Sequence, residues 1–521
     1  MRRNYDIVVF GSGFAGSLVA MIAKRQGYSV ALLERGRHPR MMIGESSTPL
    51  ANLLLDELAI RYDLPAIRPL SKWGSWQRTY PDVACGLKRG FTFYRHESGK
   101  PDAPDQEHQR QLLVAASPHD EIADTHWYRS DFDSLLVLQA QTLGVDYLDE
   151  ARIEHFCELE DRVSFDVVRK EEMIGFQARF AIDATGPRGM LHRALQLPEA
   201  DLTDYPATQA LYSHFSGVSL PREPPDCGQE TLPYPPEQAA VHHIFDGGWA
   251  WVLRFNNGIT SAGVAATEDA ARHFRLEEGE PAWRRLLDSI PTLKEQFAAA
   301  RAELPYTYVP RLSFLSIRVT GRSWAMLPSA AGFIDPLLST GFPLTLLGVS
   351  RLAAILGRDL AAPNFQSDLQ TYAKKTTEEL LATSRLIASL YANMNNFPVF
   401  KSISLLYFAS AVYSETVRRL GKSHLACSFL LHDHPSFGPV CRQLVERAMR
   451  LVSDQESLCL VEDIRLAIEP FDVAGLSDSS KKGWYPVDAE DLLQSACKVE
   501  STRGEIESLL RGCGYYRTEA G

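Results

Sequence analysis

The sequence predicts an α/β protein with a doubly wound parallel sheet, an inserted antiparallel-sheet substrate domain and a helical C-terminal region. Residues 5–34 read as strand, glycine-rich turn, helix and strand. Short strand-like segments alternate with turns over residues 206–267, and the chain after Pro363 reads as mainly helical. We therefore expect one domain built from residues 1–200 and 321–362, an inserted domain over 201–320 and a helical region over 363–521.

The first segment carries a dinucleotide-binding pattern. The apolar run Asp6–Phe10 reads as a strand and is followed by Gly11-Ser12-Gly13-Phe14-Ala15-Gly16, a helix, a second strand and Glu34. In such a Rossmann-like unit the three glycines allow a tight turn, close approach to a pyrophosphate and close packing of helix on strand. The helix N-terminus favours the phosphates, and Glu34 is placed to bind a ribose hydroxyl.

Composition excludes several other classes. The net charge of −11 argues against a nucleic-acid-binding protein. The eight cysteines form no C-x-x-C pair, which predicts neither a zinc site nor a dithiol centre and fits a reducing cytoplasm. No run of 18 apolar residues is present, so we expect no membrane span. His242 and His243 lack accompanying ligands at metal spacing, and we expect strand residues and no metal.

Later segments supply further polar and aromatic residues at the predicted ends of elements. The loop Gly44-Glu45-Ser46 is suited to lining a flat ring system, and Arg129 begins a helix that faces the first domain or its cofactor. Asp183-Ala184-Thr185-Gly186 ends a buried strand, where a cofactor meets the carboxyl end of a sheet. Trp249 and Trp251 have strand spacing and share one face, either as core aromatics or as part of a site.

These segments together resemble a known family. The glycine-rich turn, Asp183–Gly186 and Gly332-Phe333-Ile334-Asp335-Pro336 resemble the FAD-containing hydroxylase-type flavoproteins. Gly44-Glu45-Ser46 and Leu337-Leu338-Ser339-Thr340-Gly341 narrow the resemblance to the flavin-dependent halogenases, over residues 5–360. The helical C-terminal region suits the phenol- and pyrrole-type branch.

The resemblance implies an enzyme that uses reduced FAD from a separate flavin reductase, O2 and chloride or bromide to make hypohalous acid and halogenate a small aromatic substrate, free or tethered to a carrier protein. It implies Lys72 as the catalytic lysine, with Lys88 as the fallback; a snorkelling surface lysine is the alternative for Lys72. Halide is expected at Thr340 and Gly341, and Trp249 and Trp251 would shield the flavin from the substrate. The implied cofactor-binding residues are Gly11, Gly13, Phe14, Ala15, Gly16, Glu34, Gly44, Glu45, Ser46, Arg129, Asp183, Gly186, Ser329, Asp335, Pro336 and Gly341.

Three departures from the family pattern keep alternatives open. The Trp-x-Trp motif continues to Arg254 instead of Ile-Pro, and Ser329 replaces an Asp that ordinarily binds the ribityl chain. Leu338 stands where the tryptophan-halogenase branch has a Glu, which favours a phenol-like substrate. The alternatives are an FAD-dependent monooxygenase or ene-reductase, and a non-catalytic halogenase-like protein.

Overall fold

The computed structural model describes residues 2–100, 105, 107–202, 205, 207–221 and 231–516. Strands β1 to β20 are, in chain order, Arg3–Phe10, Val30–Leu33, Cys85–Lys88, Gly90–Arg95, Gln111–Ala115, Asp124–Trp127, Asp146–Leu148, Arg152–Glu158, Val163–Arg169, Glu172–Asp183, Thr208–Ser216, Ala240–Phe245, Gly248–Arg254, Thr260–Thr267, Arg301–Ala302, Thr307–Val309, Phe314–Leu315, Trp324–Met326, Gly332–Phe333 and Trp484–Tyr485. Helices α1 to α16 are Phe14–Arg25, Pro49–Arg61, Trp73–Thr79, Arg129–Thr142, Met190–Ala194, Glu268–Phe274, Glu280–Ser289, Pro291–Gln296, Pro328–Ala331, Gly341–Leu356, Phe365–Ala392, Phe397–Arg419, Phe437–Ala448, Asp454–Ile468, Ala489–Gln494 and Arg503–Gly512.

The first sheet has the strand order β7-β2-β1-β10-β9-β8, with β18 also paired to β10. Strands β7, β2, β1, β10 and β18 run parallel, whereas β9 and β8 form an antiparallel extension. Ile7 to Phe10 of β1 are completely buried, as expected for a central strand covered on both faces. The parallel α/β domain predicted from the glycine-rich turn is confirmed.

The second sheet has the order β15-β11-β14-β13-β12-β4-β5-β20, with β16 also on β11. It is antiparallel except for the pairs β12–β4 and β20–β5. Strands β4, β5 and β20 come from outside the predicted inserted segment 201–320. Strands that are far apart in the sequence can pair once the fold brings them together. Such pairings produce no local sequence pattern, so the sequence analysis could not predict them.

Strands β3 and β6 form a separate two-stranded ribbon, outside the two large sheets. Strand β3 pairs with β6 in antiparallel register, so that Gly86 lies opposite His126 and Lys88 lies opposite Asp124. The ribbon therefore places two ionisable residues side by side at the end of β3.

The C-terminal region is helical, as predicted, and its two longest helices are α11 and α12. The segment Leu337–Leu356, which includes α10, is long and apolar enough to cross a membrane by length and composition alone. Within the protein, however, 67% of its most apolar window is buried, which is also expected of a core helix. Its neighbours include α1, α2 and α11.

Candidate active site

A cavity of about 910 Å³ opens at the carboxyl ends of the first sheet's parallel strands, against the second sheet. This position is where open α/β sheets bind their ligands, and the volume lies within the ~300–1,000 Å³ usual for ligand sites. Predicted cofactor-binding residues that line the cavity are Gly11, Gly13, Phe14, Ala15, Glu34, Gly44, Glu45, Ser46, Arg129, Gly186, Ser329, Asp335, Pro336 and Gly341. The structure thus brings segments from four distant parts of the sequence to one wall.

The glycine-rich turn has the geometry that its residues predict. Gly11 has φ +90°, a conformation that L side chains rarely adopt. A Cβ at Gly16 would lie 1.9 Å from the carbonyl oxygen of Gly11, so only glycine allows α1 to pack this close to the turn. Gly16 is therefore beneath the cavity and does not line it, and its contribution to a ligand site is through packing.

Glu34 follows β2 at the far end of the turn and is held by several donors. Its carboxylate accepts hydrogen bonds from the backbone N–H of Ser12 at 3.0 Å and of Gly36 at 2.8 Å, and from Arg40 at 3.1 Å. Burial alone would raise the pKa of Glu34, but the Arg40 charge and these hydrogen bonds outweigh it and hold the pKa below its ordinary value. Glu34 is therefore an ionised acceptor at the cavity wall.

Arg129 begins α4 and fixes the loop that carries Glu45 and Ser46. Its guanidinium makes a bidentate pair with Asp133, at 2.9 and 2.8 Å, and donates to the carbonyl oxygen of Gly44 at 2.9 Å. Glu45 in turn lies 2.7 Å from Nε2 of His214 on β11, and both side chains are buried. These contacts tie the loop to α4 and to the second sheet.

Asp183 does not line the cavity, although the sequence predicted a cofactor-binding residue there. Its carboxylate accepts from the backbone N–H and the hydroxyl of Thr185, at 2.8 and 2.6 Å, and from the backbone N–H of Leu191 at 2.7 Å. These hydrogen bonds hold the Asp183 side chain within the turn after β10, and Gly186 of the same turn lines the cavity. Burial raises the pKa of Asp183.

Asp335 is part of a buried hydrogen-bond network that no sequence pattern predicts. The hydroxyl of Tyr391, on α11, donates to Asp335 Oδ2 at 3.0 Å and accepts from Nε1 of Trp249 at 3.1 Å. Burial raises the pKa of Asp335 to about 6. Trp249 and Trp251 share one face of β13, and both line the large cavity.

The start of α10 completes the wall. Thr340 and Gly341 both line the cavity, and the first backbone N–H groups of a helix have no partner within it. Such groups attract anions because the helix dipole adds to their own. Ser329 lies nearby on α9, at the position where the family pattern has an Asp.

Lys72, the predicted catalytic lysine, does not line the large cavity. Its amine donates to the carbonyl oxygen of Cys513 at 3.2 Å, near the end of the described chain. It borders a second, smaller cavity of about 200 Å³ between the ribbon and the C-terminal helices. Burial and the nearby charge of Arg419 lower the pKa of Lys72.

Lys88, the alternative lysine of the sequence analysis, lies against the loop that carries Ser46 and Ser47. Its side chain is completely buried, and its amine donates to Ser46 Oγ at 2.9 Å and to the carbonyl oxygen of Ser47. The same amine lies 3.7 Å from the centre of the Phe91 ring. Ser46 lines the large cavity and Phe91 the second one. Burial lowers the pKa of Lys88, and the charge of Asp124 opposes that shift.

The residues around the large cavity fit a flavin dinucleotide. The atoms nearest to a Cβ on Gly13 would be the guanidinium nitrogens of Arg129 at 3.4 Å and Arg40 at 3.8 Å and a carboxylate oxygen of Asp133 at 3.8 Å. Two cations beside a helix N-terminus suit phosphates. The Trp249 and Trp251 indoles provide apolar surface for a flat ring system at the other end.

Comparison with known proteins gives a consistent result. The tryptophan halogenase family profile matches residues 121–397. The chain is 28% identical over 425 residues to the tetracycline 7-halogenase of Kitasatospora aureofaciens, covering 79% of this chain and 74% of that one. It is 26% identical to the monodechloroaminopyrrolnitrin halogenase PrnC of Pseudomonas fluorescens, covering 91% and 83%. The crystal structure of the halogenase PltM with phloroglucinol and FAD superposes with a TM-score of 0.79 at 23% identity, over 92% of this chain and 99% of that one.

Proposed function

Since the chain belongs to the tryptophan halogenase family and is an FAD-dependent halogenase, we propose that its substrate is a phenol- or pyrrole-like ring bound in the second cavity. The position of Lys88 is the main support. Its ammonium contacts Ser46, which lines the large cavity, and lies over Phe91, which lines the second. A cation there can hold a polar reagent between the two cavities, where the surrounding protein excludes water.

The large cavity would hold FAD, whose reduced form, from a separate reductase, supplies the electrons by which O2 and a halide ion give hypohalous acid. We place the halide at the N–H groups of Thr340 and Gly341, and we assign Trp249 and Trp251 to separating flavin from substrate. Lys88 donates a hydrogen bond to the oxygen of the hypohalous acid, which makes the halogen more electrophilic. The ring carbon attacks the halogen, the oxygen leaves as water, and the ring loses its proton.

The second cavity suits a small aromatic ring. Its volume of about 200 Å³ is below the ~300–1,000 Å³ of typical ligand pockets, which limits the substrate to one or a few rings. Its wall includes Phe91, Tyr407 and Phe408, whose faces and edges can contact an aromatic ring. Relatives whose names state a substrate act on a tetracycline, on monodechloroaminopyrrolnitrin or on a carrier-bound pyrrole.

Mass spectrometry of reaction products tests this function. The purified protein is given FAD, a flavin reductase, O2, bromide and a pool of phenols, indoles and pyrroles, including a carrier-bound pyrrole. A brominated phenol or pyrrole that disappears when bromide is left out is the expected result. Hydroxylated products alone, or brominated indoles alone, would overturn the proposal.

Two lysine variants test the assignment of the catalytic residue. Lys88→Ala should lower the bromination rate by ~10²–10³-fold, the usual cost of losing one donor to a developing charge, and should still take up FAD. Lys72→Ala is the matched control, because Lys72 is a half-buried lysine of the second cavity that does not reach the large one. Lys72→Ala should keep bromination within a fewfold of the unmodified enzyme; the reverse pattern would return the catalytic role to Lys72.

We also propose that the enzyme works in the cytoplasm. The seven described cysteines are all unpaired, and three of them, Cys85, Cys441 and Cys513, are at least partly covered by protein. Unpaired thiols are typical of proteins in reducing compartments. Fractionation of cells that produce the protein, with immunodetection in the soluble and exported fractions, would test this location.

A further inference from the structure

A buried carboxylate, Asp124, stands in the wall of the second cavity with one oxygen unused. Asp124 begins β6 and is 6% exposed. Its Oδ1 accepts a hydrogen bond from the side-chain amide of Asn52 on α2 at 2.9 Å. Its Oδ2 has no hydrogen-bond partner among the described residues. Buried polar atoms without partners are rare, and an unsatisfied carboxylate oxygen is costly.

The charged groups closest to Asp124 do not satisfy that oxygen. Lys88 is its partner across the ribbon, but the amine of Lys88 gives its hydrogen bonds to Ser46 and Ser47. Arg419, which also lines the cavity, is paired with Glu415 at 2.8 Å. Lys72 donates to the carbonyl oxygen of Cys513. Burial raises the pKa of Asp124, and the charge of Lys88 opposes that shift. In its ionised form the carboxylate offers a ligand in this cavity an acceptor, so the ligand must bring a donor.

We propose that Asp124 is a substrate-binding residue that determines specificity, its free oxygen accepting a hydrogen bond from a hydroxyl or N–H on the substrate ring. This inference rests on the proposed function, since it takes the second cavity as the substrate site. It narrows the substrate class to rings that carry a donor, such as phenols and pyrroles with a free N–H. Rings whose oxygen or nitrogen is methylated lack the donor and leave the carboxylate unsatisfied.

The arrangement also favours the reaction. A phenol that donates to a carboxylate makes a strong, charge-assisted hydrogen bond. The phenol oxygen then carries more negative charge, which it shares with the ring carbons ortho and para to it. Asp124 and Lys88 lie opposite each other on paired strands, so we expect a ring anchored at Asp124 to be close to the lysine that holds the oxidant. Asn52 acts as a positioning residue, because it fixes the carboxylate plane.

Ligand binding to the FAD-loaded enzyme tests this without requiring turnover. Isothermal titration calorimetry should give a Kd for phenol at least tenfold lower than for anisole, and for pyrrole at least tenfold lower than for N-methylpyrrole, as expected when a hydrogen bond to a charged acceptor is lost. Equal affinities within each pair would overturn the inference. This comparison uses the unmodified enzyme, so it decides the question even if a variant fails to fold.

The variant Asp124→Asn gives a sharper outcome. Asn52 would keep the amide oxygen of the new side chain, so its NH2 group would take the free position and replace an acceptor with a donor. The preference for phenol over anisole should therefore vanish or reverse. If both rings instead weaken by the same factor, Asp124 has only a structural role and the inference is wrong.

A matched control and an activity measurement separate this inference from the proposed function. Asp478→Asn changes a carboxylate outside both cavities, which accepts a hydrogen bond from the backbone N–H of Ser480 at 2.9 Å, and it should keep the preference of the unmodified enzyme. If no aromatic ring binds or is brominated, the proposed function fails and the inference fails with it. If rings are brominated but methylation makes no difference, only the role of Asp124 fails.

Discussion

Replacing Asp335 with Asn should remove a pH-dependent loss of stability from the flavin-free protein. Asp335 is 2% exposed, and burial raises its pKa from 3.8 to about 6. A carboxyl group with a raised folded-state pKa stabilises the fold below its unfolded-state pKa, and that stabilisation is lost as the pH rises through the folded-state value. At ~1.4 kcal/mol per pKa unit, a rise of about 2 units corresponds to about 3 kcal/mol.

Of this stabilisation, about 2 kcal/mol is lost between pH 4.5 and pH 7.5, because over this interval the folded chain binds more protons at Asp335 than the unfolded chain does. The measurement is urea denaturation of the flavin-free protein at both pH values, followed by tryptophan fluorescence. The unmodified protein should lose about 2 kcal/mol more than Asp335→Asn over this interval. Tyr391→Phe should enlarge the loss, because the Tyr391 hydroxyl bonds to the carboxylate and lowers the pKa of Asp335. Identical pH dependences in the unmodified protein and Asp335→Asn would refute the assignment of this carboxyl as the titrating group.

Two further substitutions test the cofactor cavity. Gly16→Ala would place a methyl group 1.9 Å from the backbone oxygen of Gly11 and should weaken FAD affinity at least tenfold, measured by fluorescence titration; Gly504→Ala, with open space around it, is the control and should bind FAD normally. Arg129→Met leaves the fully buried Asp133 without its partner and should lower the unfolding free energy by ~3–5 kcal/mol, measured by urea denaturation; an unchanged value would show that Asp133 is satisfied by other groups.

The nucleotide-binding end of the fold was predictable because its determinants are local. Strand, turn, helix and second strand follow each other within residues 5–34, and each glycine has a steric reason that can be stated from the sequence alone. The structure adds one contact that the local pattern does not predict, which is the hydrogen bond from Arg40, in the loop after β2, to the carboxylate of Glu34.

The choice between Lys72 and Lys88 could not be made from local pattern. Both lysines lie near aromatic residues, and Lys72 is closer in sequence to Gly44–Ser46. What separates them is the pairing of β3 with β6 and of β4 with β12, which buries the end of β3 under Ser46 and Ser47. The sequence does carry one signal, which is that Lys88 ends a strand whose other residues, Cys85 to Leu87, are apolar or small.

The C-terminal helices also had no visible link to the chemistry, because helical periodicity reports only that a face is buried. In the structure, two of their tyrosines reach into the loop between β19 and α10. Tyr391 bonds to Asp335, and the hydroxyl of Tyr407 donates to the carbonyl oxygen of Leu338 at 2.9 Å. Leu338 has φ +62°, an uncommon conformation for a residue with a side chain, and an external hydrogen bond is what such a turn requires. Because Tyr407 also lines the second cavity, α12 connects the shape of the proposed substrate site to the loop that ends at the predicted halide position. The helical region thus contributes to the walls of both cavities, through Leu380 in the large one and Tyr407 in the second.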